Sequence, residues 1–393
     1  MDARWVGSAR LGADTARALG LVGLDALREP LGRALPRTPE QLARPDVLTA
    51  LLGTEVRAAR LPGERFESSN CQNFLVDVES RDGEIRTLYA KLPARELAPR
   101  VFANALGFWA LECTFCRDVA ARVPVRVPRV LAVDRRGSRF VLLLENINEL
   151  PGARLFENRD MAAGTTVDQA RRCLTAFAGL HAAFHGWDAM QREQLLPLAL
   201  HPFLPARQRP VTIALNTMAV DRAHRAAPEL FTAEHAATCR RAFANWDALL
   251  HYWYRDPLTL VHGDSHLANC FEYATPDGPQ VGLLDFQGVH WSKGIRDVAY
   301  FLIHSLEPEL LTAHEDALID HYLAELAVRE VRLEPELARE QYRSFALQPL
   351  MVGVVAVGLG GFTEREATVR TMLERELAAF DRLGFASWLD TMS

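Results

Sequence analysis

His262, Asp264, His266 and Asn269 all fall inside "HGDSHLAN" (262–269), and Asp285 follows in "LLDF" across a single turn signal. Strand-like "CFEY" (270–273) and "VGLLDF" (281–286) flank "ATPDGP", whose Pro-Asp-Gly is turn chemistry. An antiparallel hairpin brings its open ends together, so Asn269 and Asp285 are expected side by side. Asp264, five residues before Asn269, can fold back over the same mouth. Two carboxylates and an amide oxygen are hard ligands, few in number. They suit a Mg2+ that keeps waters and shares phosphate oxygens. Two chemistries compete for these residues. In phosphoryl transfer, Asn269 and Asp285 hold the metal and Asp264 receives an acceptor hydroxyl. In metallohydrolysis, alternating His262, Asp264 and His266 point to one side of a strand and gather a transition metal that activates water.

Phosphoryl transfer makes a demand elsewhere in the chain. Charge neutralisation needs a fixed cation on the phosphates and a group that holds it. "YAKL" supplies Lys91 late in a predicted strand, and "ALECTF" supplies Glu112 within the apolar face of a predicted helix. An unpaired carboxylate on such a face is costly, so Glu112 is expected to have a partner. The hydrolase reading gives this half of the chain no role.

The elements that must position these residues divide in two. Residues 1–47 are helical pieces broken by prolines and are expected to be an appendage. From 55 to 145 the chain has a β texture: "VRAARL" (56–61), "NFLVDVES" (73–80), "RTLYAKL" (86–92), "PRVLAVD" and "SRFVLLLEN". The Asp-Gly of "SRDGE" marks a hairpin. One helix is predicted over 102–123, carrying Glu112. After residue 150 helices dominate, near 168–187, 211–223, 233–253, 296–306, 311–329, 336–348 and 365–382, and the hairpin is the only clear β-element. The expected organisation is a helical extension (1–47), a β-rich lobe (48–144), a hinge (145–150) and a larger helical lobe (151–393).

A net charge of −6 over 393 residues leaves no basic footprint for nucleic acid. Six scattered cysteines favour reduced thiols and a cytoplasmic setting, with Cys113 and Cys116 expected as buried small side chains and not as a redox pair. No secretory signal is apparent, and "PLMVGVVAVGLGGF" (349–362) is shorter than the roughly 20 residues a membrane span needs. It is expected as a buried core helix, with no membrane partner.

With these residues in place, the chain resembles the aminoglycoside phosphotransferase / choline kinase-like superfamily, particularly its ecdysteroid-kinase-like branch, over roughly 50–380. "HGDSHLAN" is similar to the H-G-D-x-H-x-x-N catalytic loop, "LLDFQ" to the metal-binding segment and "GIRDVAYFL" to the G-x-x-D-x-A-x-x-L stretch after it. "AGLHAAF" resembles the leucine-histidine helix before the loop. The resemblance implies an α+β, two-lobe protein-kinase-like fold and an ATP- and Mg2+-dependent small-molecule kinase acting on a hydroxyl acceptor. It implies Asp264 as catalytic aspartate and Asn269 and Asp285 as Mg2+ ligands. Lys91 would sit on the phosphates, oriented by Glu112. Ser68 and Ser69 of "PGERFESSN" would cradle phosphates, and backbone groups of Glu145 and Ile147 would meet the nucleobase. His262, His266 and Asp297 would brace the loop, and His181 is expected as a buried, hydrogen-bonded structural histidine. A non-catalytic nucleotide-binding pseudokinase remains a third reading; the retained ionic residues oppose it.

Overall fold

The computed structural model describes residues 3–31, 34–63, 65–67, 71–360 and 366–392. The first lobe opens with α1 (Ala3–Arg28), α2 (Pro39–Leu42) and α3 (Pro45–Leu52). Strands β1 (Val56–Arg60), β2 (Arg65–Glu67), β3 (Cys71–Ser80) and β4 (Ile85–Pro93) follow. After α4 (Leu97–Leu106) and α5 (Phe108–Thr114), β5 (Val130–Arg136) and β6 (Arg139–Glu145) complete an antiparallel sheet of order β1-β3-β4-β6-β5, with β2 pairing β3.

The period-two alternation of strands sorts this sheet's side chains. On β4, Leu88, Ala90 and Leu92 join Val141 and Leu143 of β6 against Leu48 of α3. Phe140 and Leu142 of β6 face the other way, against Trp109 and Cys113 of α5. Lys91, between Ala90 and Leu92, therefore lies on the α5 side. The single helix expected over 102–123 is broken. Gly107 adopts φ +82, which ends α4 and starts α5, and α5 continues into a wider turn at Phe115–Val119.

The second lobe contains β7 (Arg154–Leu155), α6 (Asn158–Ala163), α7 (Val167–Phe184), α8 (Ala189–Leu195), α9 (Arg209–Ala226), α10 (Ala233–Ala244) and α11 (Trp246–Tyr254). Strands β8 (Thr259–Val261), β9 (Cys270–Thr275), β10 (Gly278–Leu283) and β11 (His290–Ser292) precede α12 (Ile295–Ser305), α13 (Pro308–Val328), α14 (Pro335–Phe345), α15 (Leu347–Val355), α16 (Glu366–Arg382) and α17 (Phe385–Asp390). The hairpin is not the only β-element here: β7 pairs β9, and β11 pairs β8. Strands of two or three residues are too short to show a period in sequence. The helix expected over 233–253 splits at Asn245, and its Leu249, Leu250 and Trp253 pack into the main core.

The N-terminal segment is more than an appendage. Ala18 of α1 clusters with Val101 and Ala105 of α4, while Gly7 lies so close to α9 that a Cβ would overlap the Pro210 carbonyl. Asp25 accepts hydrogen bonds from the N–H (2.6 Å) and hydroxyl (2.7 Å) of Ser138. One helix thus touches both lobes. The apolar run beginning at Pro349 is helical through Gly360, with Leu350, Val354 and Val357 buried in the core; its last two residues, 361 and 362, lie outside the described ones. Residues 335–360 form a run long and apolar enough to cross a membrane by length and composition, and half of its apolar window is buried within the fold.

Candidate active site

The hairpin forms with a tighter turn than expected. Its strands extend to Thr275 and start again at Gly278, so only Pro276 and Asp277 turn. Register sets Cys270 opposite Leu283, and the Leu284 N–H donates to the Asn269 carbonyl at 2.8 Å. That places Asn269 one residue from Asp285. Asp285 itself is outside the strand, in a left-handed conformation (φ 55, ψ 73) that is uncommon for a non-glycine residue. The unusual backbone turns its carboxylate toward the first lobe.

There it meets Lys91. The Lys91 ammonium donates to Glu112 Oε1 at 2.7 Å and to Asp285 Oδ1 at 3.2 Å, joining positions 194 apart in sequence. Lys91 is 5% exposed and Glu112 4%. Burial alone would push the Lys91 ammonium down; the Asp285 and Glu112 carboxylates outweigh it and hold Lys91 well above its ordinary value. Burial pushes the Glu112 carboxyl up, to about 7, against the pull of Lys91. Glu112 Oε2 is buried without a partner. Phe286, next to Asp285, stacks on Phe115 at 3.8 Å and 8°, which packs the Asp285 segment against the turn that continues the helix carrying Glu112.

Asp264 stands on the loop between β8 and the hairpin. Asn269 donates its amide N–H groups to the Asp264 carbonyl (2.8 Å) and to Asp264 Oδ2 (3.2 Å). Tyr300 of α12 donates its hydroxyl to Asp264 Oδ1 at 2.8 Å. His266 Nε2 lies 3.6 Å from the same oxygen, so His266 faces the aspartate itself and is not only a brace. Burial would raise the Asp264 carboxyl; His266, the Tyr300 hydroxyl and His262 together hold it below the usual carboxylate range.

The loop is held from beneath by Asp297, which is fully buried. Its Oδ2 accepts from the His262 N–H (2.5 Å) and His181 Nε2 (3.2 Å), its Oδ1 from the Gly263 N–H (3.1 Å) and Arg296 (3.0 Å). Burial opposes this charge, but the His181 hydrogen bond and Arg296 keep Asp297 far below the usual range. His181 is itself 1% exposed and accepts from the Tyr322 hydroxyl at 2.8 Å. Gly263 adopts φ +85, and a Cβ there would overlap the Gly288 carbonyl, so this tight passage requires glycine. Both ring nitrogens of His262 are engaged. Nε2 donates to the Leu284 carbonyl at 2.6 Å, and Nδ1 accepts from the Asp264 N–H at 3.2 Å. His262 therefore has no lone pair to give a metal. Among the described residues no group of three or more His, Cys, Asp or Glu side chains is arranged to hold a metal ion. The hydrolase trio His262, Asp264 and His266 does not assemble.

The Glu145 N–H donates to the Arg129 carbonyl (2.9 Å) and the Ile147 carbonyl accepts from the Leu150 N–H (3.0 Å), which leaves the Ile147 N–H outside these two bonds. Ser68 and Ser69 lie outside the described residues. Cys113 and Cys116 are free thiols, and burial raises both, Cys113 to about 12, so neither carries thiolate chemistry. Tyr300 was not singled out in the sequence, although a signal existed. It lies one helical turn beyond Asp297 on the same face of α12.

Residues 116–334, more than half of the chain, match the Ecdysteroid kinase-like family. The chain belongs to that family. The matched stretch contains the Asp264 loop, the hairpin and Asp297, while Lys91 and Glu112 precede it and join the cluster through the fold. No curated protein matches the chain. Among solved structures, similarity extends to an ethanolamine kinase of Plasmodium vivax (12% identity, 82% of each chain, TM-score 0.49). A microcompartment-associated aminopropanol kinase is similar at 15% identity, over 85% of this chain and 93% of that one, with a TM-score of 0.48. An aminoglycoside-3'-phosphotransferase of type VIII is similar at 17% identity, over 78% and 94%, with a TM-score of 0.34. The architecture is the two-lobe kinase-like fold, and family membership supports phosphotransfer as the reaction class.

Proposed function

We propose that this protein transfers the γ-phosphate of ATP to a hydroxyl group of a small molecule. The observation that supports this most is the Lys91 ammonium held between Glu112 and Asp285, beside the Asp264–Asn269 pair. A buried cation held in place by two carboxylates is a preorganised charge for a polyphosphate. The donor set also fits Mg2+. Asn269 uses its N–H groups on Asp264, so its amide oxygen is left as an acceptor, and Asp285 uses Oδ1 on Lys91, leaving Oδ2. Asn269 and Asp285 would hold the ion, which when bound neutralises charge on the phosphate oxygens.

The chain's own residues do the rest. Lys91 holds the phosphates, and the Ile147 N–H is the hinge group offered to the nucleobase. Asp264, held below the usual carboxylate range, is a weak base at neutral pH. Its work is to orient the acceptor hydroxyl and take the proton as the new P–O bond forms, a contribution of about 10²–10⁴-fold. The acceptor is a small hydroxylated molecule such as an antibiotic, an amino alcohol or another metabolite, with neither nucleic acid nor membrane as substrate. Free cysteines throughout the described chain suit a reducing, cytoplasmic setting. The metallohydrolase alternative has lost His262 to hydrogen bonding, and a pseudokinase would have no need of Asp264 and its positioning contacts.

Thermal melting with and without Mg·ATP tests the nucleotide half of this reading. Binding at 100 times Kd stabilises by about 2.7 kcal/mol, so Tm should rise by several degrees. Asp285→Asn and Lys91→Met should abolish the rise, and Asp264→Asn should keep it. No rise at millimolar Mg·ATP would contradict the proposal.

A further inference from the structure

We propose that Tyr300 is a positioning residue for phosphoryl transfer, its hydroxyl holding the Asp264 carboxylate in the orientation that meets the acceptor. This rests on the reading of Asp264 given above and adds a residue to it.

A carboxylate on one methylene rotates freely unless something fixes it, and productive geometry tolerates only about 0.5 Å of error. Asp264 is fixed on both oxygens. Tyr300 donates to Oδ1 at 2.8 Å and Asn269 to Oδ2 at 3.2 Å. Asn269 has a second task as a metal ligand, so Tyr300 is the donor dedicated to orientation.

The phenol is itself immobilised. Its ring is 4% exposed and lies between the Arg296 guanidinium, 4.8 Å from the ring centroid, and the His304 imidazole, 4.3 Å away and at 78°. His304 is fully buried and bonded through Nε2 to Glu376 Oε1 of α16 at 2.8 Å. A rigid chain thus runs from α16 through His304 and Tyr300 to the reacting carboxylate. Asp264 is met by Tyr300, Asn269 and His266, with His262 and His304 acting on its charge, and Tyr300 is met by Asp264, Arg296 and His304, with Glu376 acting on it through charge. Packing alone would be served equally by phenylalanine. The hydroxyl is needed only because of what it touches, since a buried phenol must find an acceptor and this one finds Asp264.

Steady-state kinetics on wild type, Tyr300→Phe, Asp264→Asn and the double variant test this, using Mg·ATP and a hydroxyl acceptor found by panel screening. Phenylalanine keeps the ring between Arg296 and His304, so the variant should melt within a few degrees of wild type. Losing one hydrogen bond to a charged group should lower kcat about 10–100-fold, with KM for Mg·ATP and acceptor within about twofold. Because Tyr300 acts through Asp264, adding Tyr300→Phe to Asp264→Asn should change the residual turnover by less than about twofold. Wild-type kcat in Tyr300→Phe overturns the proposal. So does an undiminished effect in the Asp264→Asn background, or a Tyr300→Phe chain that no longer folds, which would make the hydroxyl structural. Wild-type turnover in Asp264→Asn alone is a different failure: it removes the assignment of Asp264 itself.

Discussion

At the scale of single residues the site is a problem of charge balance. One ammonium serves two carboxylates, and burial raises the deeper of these, Glu112, against the pull of Lys91. Removing Lys91 as Lys91→Met leaves Glu112 and Asp285 facing each other without a cation. Breaking a buried pair this way costs about 3–5 kcal/mol, toward the lower end here because Glu112 can take a proton. Urea unfolding should show that loss together with loss of the Mg·ATP response. Glu112→Gln keeps a hydrogen-bond acceptor for Lys91 and should cost less in urea while lowering kcat/KM. These two residues were legible in sequence through the demand that phosphate chemistry makes for an anchored cation. The engagement of both His262 nitrogens was not legible, because it depends on a backbone carbonyl brought in by the hairpin. Tyr300 was half legible: the Asp297, Tyr300, His304 stripe has helical spacing, but nothing in the sequence says that it meets Asp264.

At the scale of elements the decisive piece is the loop from β8 to β9, suspended on Asp297 and threaded past Gly288. Gly263→Ala places a side chain at φ +85 against the Gly288 carbonyl, so the loop must shift. A loss above about 2 kcal/mol is expected. Turnover should fall as well, while Gly278→Ala, whose Cβ would meet nothing, should leave turnover unchanged and cost only the strain of its own turn. The hairpin was legible from its Pro-Asp-Gly turn and the apolar residues on either side. The break at Gly107 was not, because the apolar spacing of α4 and α5 continues across it and only the glycine's positive φ divides them. Strands β7, β8 and β11 were too short to announce themselves, and each is defined by a partner from elsewhere in the chain.

At the scale of the whole molecule, α1 touches both lobes, and its Asp25 fastens it to the first at Ser138. Asp25→Ala would leave the Ser138 N–H and hydroxyl buried without an acceptor, at about 1–3 kcal/mol, measurable as a lower urea midpoint with Mg·ATP affinity unchanged. Sequence showed this segment as helical pieces; its docking surface on α4 and α9 belongs to residues more than 70 positions away and left no local mark. Acid sensitivity is also a property of the assembled fold. Burial, with Arg296 nearby, holds His290 down at about 4 against an ordinary 6.5, and His201 beside it, 4.9 Å between ring centroids, is held down too. Unfolded His290 takes up a proton below pH 6.5 and the folded one does not until about pH 4. Its stabilising contribution is therefore complete above 6.5 and is lost as pH falls toward 4. Between pH 7 and 5 the wild type should lose about 2 kcal/mol that His290→Gln does not, read from paired urea midpoints. Phosphoryl transfer itself is tested most directly by incubating the purified protein with Mg·[γ-32P]ATP and a panel of hydroxylated small molecules and separating the products. The expected result is label on one acceptor class, absent without Mg2+ and reduced at least about 100-fold in Asp264→Asn. Label transfer that persists undiminished in Asp264→Asn, or an acceptor turned over without nucleotide, would contradict it.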